Sequence, residues 1–236
     1  MKVILTGATG FVGEGVLIEC LAHPQVEKVL IVSRKPYSLN HPKLRQCIVP
    51  NFMDLSNAKD KLTGYDACFY CVGISSMGLD EKTYTRITYD VTIYFADFIS
   101  GLNDNMVFNF VSGRNTDSSE KGNVMWARVK GKTENALRER PFRKQYNFRP
   151  GFMKPTPGQR NVKPFYKFIS GIWPILFPKR SCAIEEIGRA MIKGALIGFE
   201  KQTLEVDDIK VLAAGDSDFL EEDLHQITPT DIPYSD

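Results

Sequence analysis

Apolar and polar positions alternate along this chain in two periods, one after the other. Short, mostly apolar runs of three to six residues, Val3-Ile4-Leu5 and Lys28-Val29-Leu30-Ile31-Val32 first among them, are separated by stretches whose apolar residues recur every three or four positions. The first pattern predicts buried strands and the second predicts amphipathic helices, such as the one carrying Val12, Val16, Leu17 and Cys20. Further strands are expected at Leu44 to Val49, Ala67 to Val72, Met106 to Val111 and Gln145 to Arg149, the last stopped by Pro150-Gly151. Helices are expected at Asp54 to Leu62, Glu81 to Leu102, Val124 to Arg138 and Glu185 to Phe199, and a small strand with a helical turn at Leu204 to Leu212. Strand and helix in strict alternation indicate an α/β fold, a doubly wound parallel sheet of the Rossmann type. Parallel strands joined by helical crossovers place a ligand at their carboxyl ends. Gly7, Arg34, Asp54, Gly73, Ser112 and Arg149 all fall there.

The first strand runs directly into Gly7-Ala8-Thr9-Gly10-Phe11-Val12-Gly13 and then into a helix. A strand, a tight glycine turn and a helix start offer backbone N–H groups and the positive end of a helix dipole to a phosphate. Glycine is required because a side chain would hold a pyrophosphate away from the backbone. In this context the turn predicts a dinucleotide site. The second strand ends in Ser33-Arg34-Lys35, where an NAD site usually carries a carboxylate for the ribose hydroxyls. Two cations and a hydroxyl suit a 2′-phosphate instead, so NADP is expected over NAD.

At 236 residues and 43% hydrophobic, the chain is long enough for one well-buried core. The expected division is a cofactor-binding core over residues 1–150 and a small substrate or lid region over 151–236, packed together as one domain. A net charge of +2 is too balanced for nucleic acid. The first strand begins at Lys2, which leaves no room for a signal peptide, and the five scattered cysteines read as reduced thiols; a cytoplasmic protein is expected. Cys68 and Cys71 form a CxxC, but on a strand they point to opposite faces, so no disulfide or metal site is expected there or elsewhere. Phe165 to Pro178 is the most apolar stretch. It is too short and too broken by Pro174 to span a bilayer, which needs about 20 residues. It reads as a segment packed over the sheet edge, with a mobile lid or a membrane-surface contact as the sharper alternatives. The end of the chain, from Glu221-Glu222-Asp223 onward, is acidic and expected to be loosely held.

These residues also carry a family resemblance. Thr6-Gly7-Ala8-Thr9-Gly10-Phe11-Val12-Gly13, Asp54-Leu55, Lys130-Gly131 with Glu134, and Arg149-Pro150-Gly151 resemble the short-chain dehydrogenase/reductase superfamily in its atypical, epimerase/dehydratase-like form. The branch most resembled is the Tat-interacting-protein-like oxidoreductases, over roughly residues 1–200. The resemblance implies an oxidoreductase acting with NAD(P) on a small carbonyl or alcohol, as a monomer or homodimer. It also implies adenine contact by Asp54, a place along the cofactor for Gly73, and a ribose contact by Lys130. The family's reductases use Tyr-x-x-x-Lys, in which an ammonium one helical turn away lowers the phenol pKa while the phenol passes a proton to the carbonyl. Here the run is Trp126-Ala127-Arg128-Val129-Lys130. An indole N–H is no general acid near neutral pH. Ser112 stands near the family's serine position, with Thr116 or Ser118 as alternative hydroxyls and Tyr84, Tyr89 and Tyr166 as alternative acids. The departure keeps open a second function class, a cofactor-binding regulatory protein with little or no turnover.

Overall fold

The computed structural model describes residues 1–160, 162, 177 and 180–215. The apolar segment 165–178 (Phe177 apart) with its Tyr166, and the acidic end from 221, lie outside the described residues. The strands are β1 (Lys2–Thr6), β2 (Lys28–Ser33), β3 (Leu44–Ile48), β4 (Ala67–Tyr70), β5 (Val107–Val111), β6 (Lys144–Phe148), β7 (Phe152–Lys154), β8 (Ser181–Ala183) and β9 (Thr203–Leu204). The helices are α1 (Phe11–Ala22), α2 (Lys59–Leu62), α3 (Glu81–Thr85), α4 (Val91–Ser100), α5 (Met125–Arg138), α6 (Ile184–Leu196) and α7 (Val206–Ala214). Seven strands form one sheet in the order β3-β2-β1-β4-β5-β6-β9, every neighbouring pair parallel. β7 and β8 pair separately, also parallel.

The order reverses between β1 and β4, so the crossovers cover both faces of the sheet and its central strands are buried on two sides, while the edge strand β3 exposes three of its five residues. Alternate residues accordingly enter different cores. Val3, Leu5, Ala67 and Phe69 pack with α1, α6 and α7 on one face, and Ile4, Cys68 and Tyr70 pack with Phe95, Ile99 and Phe108 on the other. Cys68 belongs to the second core and Cys71 packs against the first, as strand alternation requires, and all five cysteines are free.

The expected long helix over Glu81 to Leu102 is divided. α3 and α4 are joined by a π-helical turn at Arg86–Asp90, whose end residues Arg86 and Asp90 have helical dihedrals. The expected helix at Asp54 to Leu62 is a 3₁₀ turn at Ser56–Ala58 followed by the single turn of α2. Among the described residues no helix is long and apolar enough to cross a membrane.

Candidate functional site

Gly7 leaves β1 with φ of +71°, a conformation glycine adopts without strain, and a Cβ there would stand 2.5 Å from the Cys71 carbonyl oxygen on β4's end. A Cβ on Gly13 would overlap the Gly7 carbonyl, so α1 packs directly on the turn. Gly10 caps α1 in an ordinary extended conformation (φ −91°, ψ 168°) and provides no side-chain acceptor for the helix N–H groups. The N-terminus of α1 opens on a cavity of about 380 Å³ lined by residues 7–10, 32–34, 50–52 and 71–74, with Ile87 and Val91. This is the topological switch point between β1 and β4, with β2 beside it. A Cβ on Gly73 would meet nothing within 4 Å, so the floor of the groove is open backbone.

The structure brings Gly7, Thr9, Gly10, Ser33, Arg34 and Gly73 onto this one cavity. Arg34 is exposed at its rim, and the Ser33 hydroxyl donates to the Lys35 carbonyl at 2.7 Å. Lys35 itself is exposed and does not line the groove. Phe11 and Val12 begin α1 and pack against the core rather than on the cavity wall. Asp54 and Leu55 do not line this cavity. The Asp54 carboxylate accepts from the Ser56 hydroxyl at 2.7 Å and the Ser56 N–H at 3.2 Å, bonds that hold its pKa below the usual carboxylate value. Leu55 is fully buried in the core. The reason is the turn after β3: Asn51 accepts from Met53 N–H through its side chain and from Asp54 N–H through its carbonyl, each at 3.0 Å. That turn carries Asp54 past the groove and leaves Asn51 and Phe52 on its wall, with Phe52 stacked on Phe95 at 5.7 Å.

The second group of expected residues gathers around α5. Trp126, Lys130 and Glu134 recur at four-residue intervals and share a helix face. The Lys130 ammonium donates to the Ser112 carbonyl at 2.5 Å. Burial pushes its pKa down to about 8, with Glu134 opposing the shift. Glu134, fully buried, takes a two-pronged ion pair from Arg149, Nε to Oε1 at 2.9 Å and Nη2 to Oε2 at 2.5 Å. The Ser112 hydroxyl donates to the same carboxylate at 2.5 Å. Ser112 and Arg149 therefore face an interior network, and neither lines the groove at the glycine turn. A buried carboxylate needs its partners, and these two groups satisfy it. The alternatives are engaged as well. Thr116 donates to the Gly113 carbonyl at 2.6 Å, Ser118 accepts from Arg149 at 2.6 Å, Tyr84 is buried, and the Tyr89 ring lies 4.5 Å below the Lys132 ammonium.

Trp126 and Pro150 line a second cavity, of about 440 Å³, with Gly113, Arg114, Gly151, Phe152 and Arg180. Arg114 and Arg180 have no local sequence signal, because what brings them together is the bond from the Arg114 N–H to the Pro150 carbonyl and the pairing of β7 with β8. Asn51, Phe52, Ile87 and Val91 were likewise missed. The last two face the groove from the π-helical turn and the start of α4, and the helical period alone does not reveal such a turn.

No family model matches the chain. In sequence it is similar to Protein HTATIP2 of Rattus norvegicus, 24% identical over 180 residues, 73% of this chain and 73% of that protein. In fold it is similar to glucuronic acid dehydrogenase from Chromohalobacter salexigens, with a TM-score of 0.64 at 12% identity, covering 98% of this chain and 92% of that one. It is also similar in fold to MoeE5 in complex with UDP-glucuronic acid and NAD, with a TM-score of 0.61 at 17% identity, covering 91% and 81%. In sequence and in fold together, the chain resembles the Tat-interacting-protein-like branch of the short-chain dehydrogenase/reductase superfamily in its epimerase/dehydratase-like form.

Proposed function

We propose that this chain is an NADP(H)-dependent oxidoreductase of the short-chain dehydrogenase/reductase type, acting on a small carbonyl or alcohol in the cytoplasm. The observation that carries the reading is the meeting of the glycine turn, the start of α1 and Arg34 on one groove. The residues fit the dinucleotide: Gly10 lines the groove at the start of α1, where a side chain would stand between the helix start and a diphosphate, and no side chain caps α1. The start of α1 and the turn backbone hold the diphosphate, and Arg34 holds a 2′-phosphate through a bidentate guanidinium contact. Lys130 stands one residue from the second cavity, through its bond to Ser112, and one helical turn from Trp126. It holds the nicotinamide ribose. NADPH, when bound, supplies a hydride to the carbonyl carbon. The related structure that holds NAD supports a dinucleotide of this class.

A second reading has its own observation. Trp126 occupies the proton donor's position and the Ser112 hydroxyl is committed to Glu134, so neither supplies the proton. On that reading the chain binds NADP(H) and signals its presence with little turnover. Titration of NADPH and NADH into the wild type and Arg34→Ala tests the cofactor, and NADPH consumption against aldehydes, ketones and quinones tests the chemistry. NADPH is expected to bind the wild type more tightly. Loss of the charged contact in Arg34→Ala removes about 1.5–3 kcal/mol of that preference. Equal affinities in the wild type would refute the NADP assignment.

A further inference from the structure

The second cavity is built by three segments far apart in sequence and held by backbone. The Arg114 N–H donates to the Pro150 carbonyl at 3.0 Å, which fixes the segment after β5 against the segment after β6. Phe152 of β7 pairs with Ser181 of β8, and a Cβ on Gly151 would collide with the Arg180 carbonyl, so only glycine admits that strand so close. The result places Arg114, Arg180 and the half-buried Trp126 around a cavity of about 440 Å³.

Neither Arg114 nor Arg180 makes a side-chain hydrogen bond or ion pair among the described residues. Arg128, Arg140 and Arg149, by contrast, are each paired with a carboxylate. Among the described residues, no carboxylate lines this cavity. Glu205 and Asp207 lie beyond Arg114 in an adjoining depression, and Glu205 is already held by Arg149 at 3.3 Å. Two cations in one concavity, beside a flat aromatic face and with neither an ion-pair partner nor an acid among the described residues there, make a receptor for a small organic anion.

We propose that this cavity is the substrate site and that it selects an anionic carbonyl compound. A carboxylate or phosphate rests on Arg114 and Arg180, and the carbon frame lies against Trp126. The proposal rests on the oxidoreductase reading for its chemistry: the carbonyl carbon gains a hydride from NADPH, its oxygen gains a proton, and the alcohol and NADP⁺ leave. Trp126 then has a role of its own as a platform, where the family's reductases place their acid.

The test is calorimetric titration of the full chain, with and without NADPH, using two matched pairs. Benzoylformate is compared with its methyl ester, and glyceraldehyde 3-phosphate with glyceraldehyde; the pairs separate carboxylate from phosphate selection. At least one anion is expected to bind about tenfold or more tightly than its neutral partner. The double variant Arg114→Gln/Arg180→Gln should bring that pair within about twofold, and Arg180→Gln alone, at an exposed position, should remove part of the preference without disturbing the fold. The absence of any anion preference in the wild type overturns the proposal, as does its survival in the double variant. Anion preference with no NADPH consumption supports the site and overturns the oxidoreductase reading. Equal consumption of NADPH on an anion and its neutral partner upholds that reading and overturns the site.

Discussion

Gly7 and Gly13 meet across the turn, and a Cβ on either would strike backbone, that of Cys71 for the first and of Gly7 for the second. Gly10 differs. Its dihedrals suit any residue, and the nearest atom to a Cβ there is the Gly7 carbonyl oxygen at 3.2 Å, a distance small adjustments relieve. Two of the glycines therefore serve the fold, and the third keeps the groove open. Gly7→Ala is expected to destabilise the chain by about 1–3 kcal/mol from the left-handed conformation alone. Gly10→Val is expected to unfold near the wild-type temperature and to lose the rise in that temperature which NADPH gives the wild type, because a ligand bound only to the native state must raise it. Thermal scans with and without NADPH decide this. A full shift in Gly10→Val would place the nucleotide elsewhere. Lys130 permits a second residue-scale prediction. Its folded pKa of about 8 lies below the ordinary 10.5, so between those values the unfolded chain binds more protons than the folded one. The stability contributed by this group is lowest below about pH 8 and rises toward pH 10.5. Lys130→Met loses the bond to Ser112 at every pH, a constant that drops out of the comparison. Relative to the wild type, the variant should therefore be most favourable near pH 7 and lose ground as pH rises. Denaturant titrations on both sides of pH 8 measure this, and a pH-independent gap would show that the ammonium is not desolvated.

Among the elements, α5 concentrates the chemistry on one stripe, with Trp126 on the second cavity, Lys130 on the Ser112 carbonyl and Glu134 beneath Arg149. The stripe was legible in the sequence because four-residue spacing on a helix is geometry. What each residue touches was not. Ser112, a strand-end hydroxyl, is drawn inward by a carboxylate 22 residues later, and nothing in its local run marks that pairing. Asp54 shows the same limit: its depressed pKa comes from Ser56, two residues on, while the groove wall is formed by Asn51 and Phe52. The strands fared better, since continuous apolar runs between glycine and proline breaks place their cores within a residue or two. If α5 presents its stripe to the nicotinamide, Trp126→Tyr restores a phenol one turn from an ammonium, and carbonyl reduction should rise by about 10²–10⁴-fold. Lys130→Ala in that background should remove the gain and weaken NADPH binding. Single-turnover rates separate the two effects. An unchanged rate in Trp126→Tyr, with fast turnover already in the wild type, would assign the proton to another group.

At the scale of the whole molecule, the doubly wound order was legible because alternation of strand and helix admits few topologies. The return of the chain after the second cavity was legible as elements but not as a partnership. α6 and α7 enter the same core as α1, with Ile184, Ile187, Ile209 and Leu212 packing beside Val16 and Leu17, and β9 completes the main sheet against β6. Glu14, at the start of the helix that faces the nucleotide groove, is buried and accepts from the Tyr37 hydroxyl at 3.3 Å and the Arg160 N–H at 3.0 Å. The side chain of Gln159 donates to the Phe11 carbonyl at 2.7 Å. The glycine turn and the segments after residue 150 thus share one core and one set of hydrogen bonds, and they should melt together. NADPH at a hundredfold its Kd adds about 2.7 kcal/mol to the native state. In a chain of this size each kcal/mol is worth about 2–4 °C, so the midpoint should rise by roughly 5–11 °C. Calorimetry should show one transition that moves as a whole. Two transitions, of which only one responds to NADPH, would mean that the elements after residue 150 fold apart from the nucleotide site, and that the bonds from Arg160 and Gln159 to α1 do not couple them.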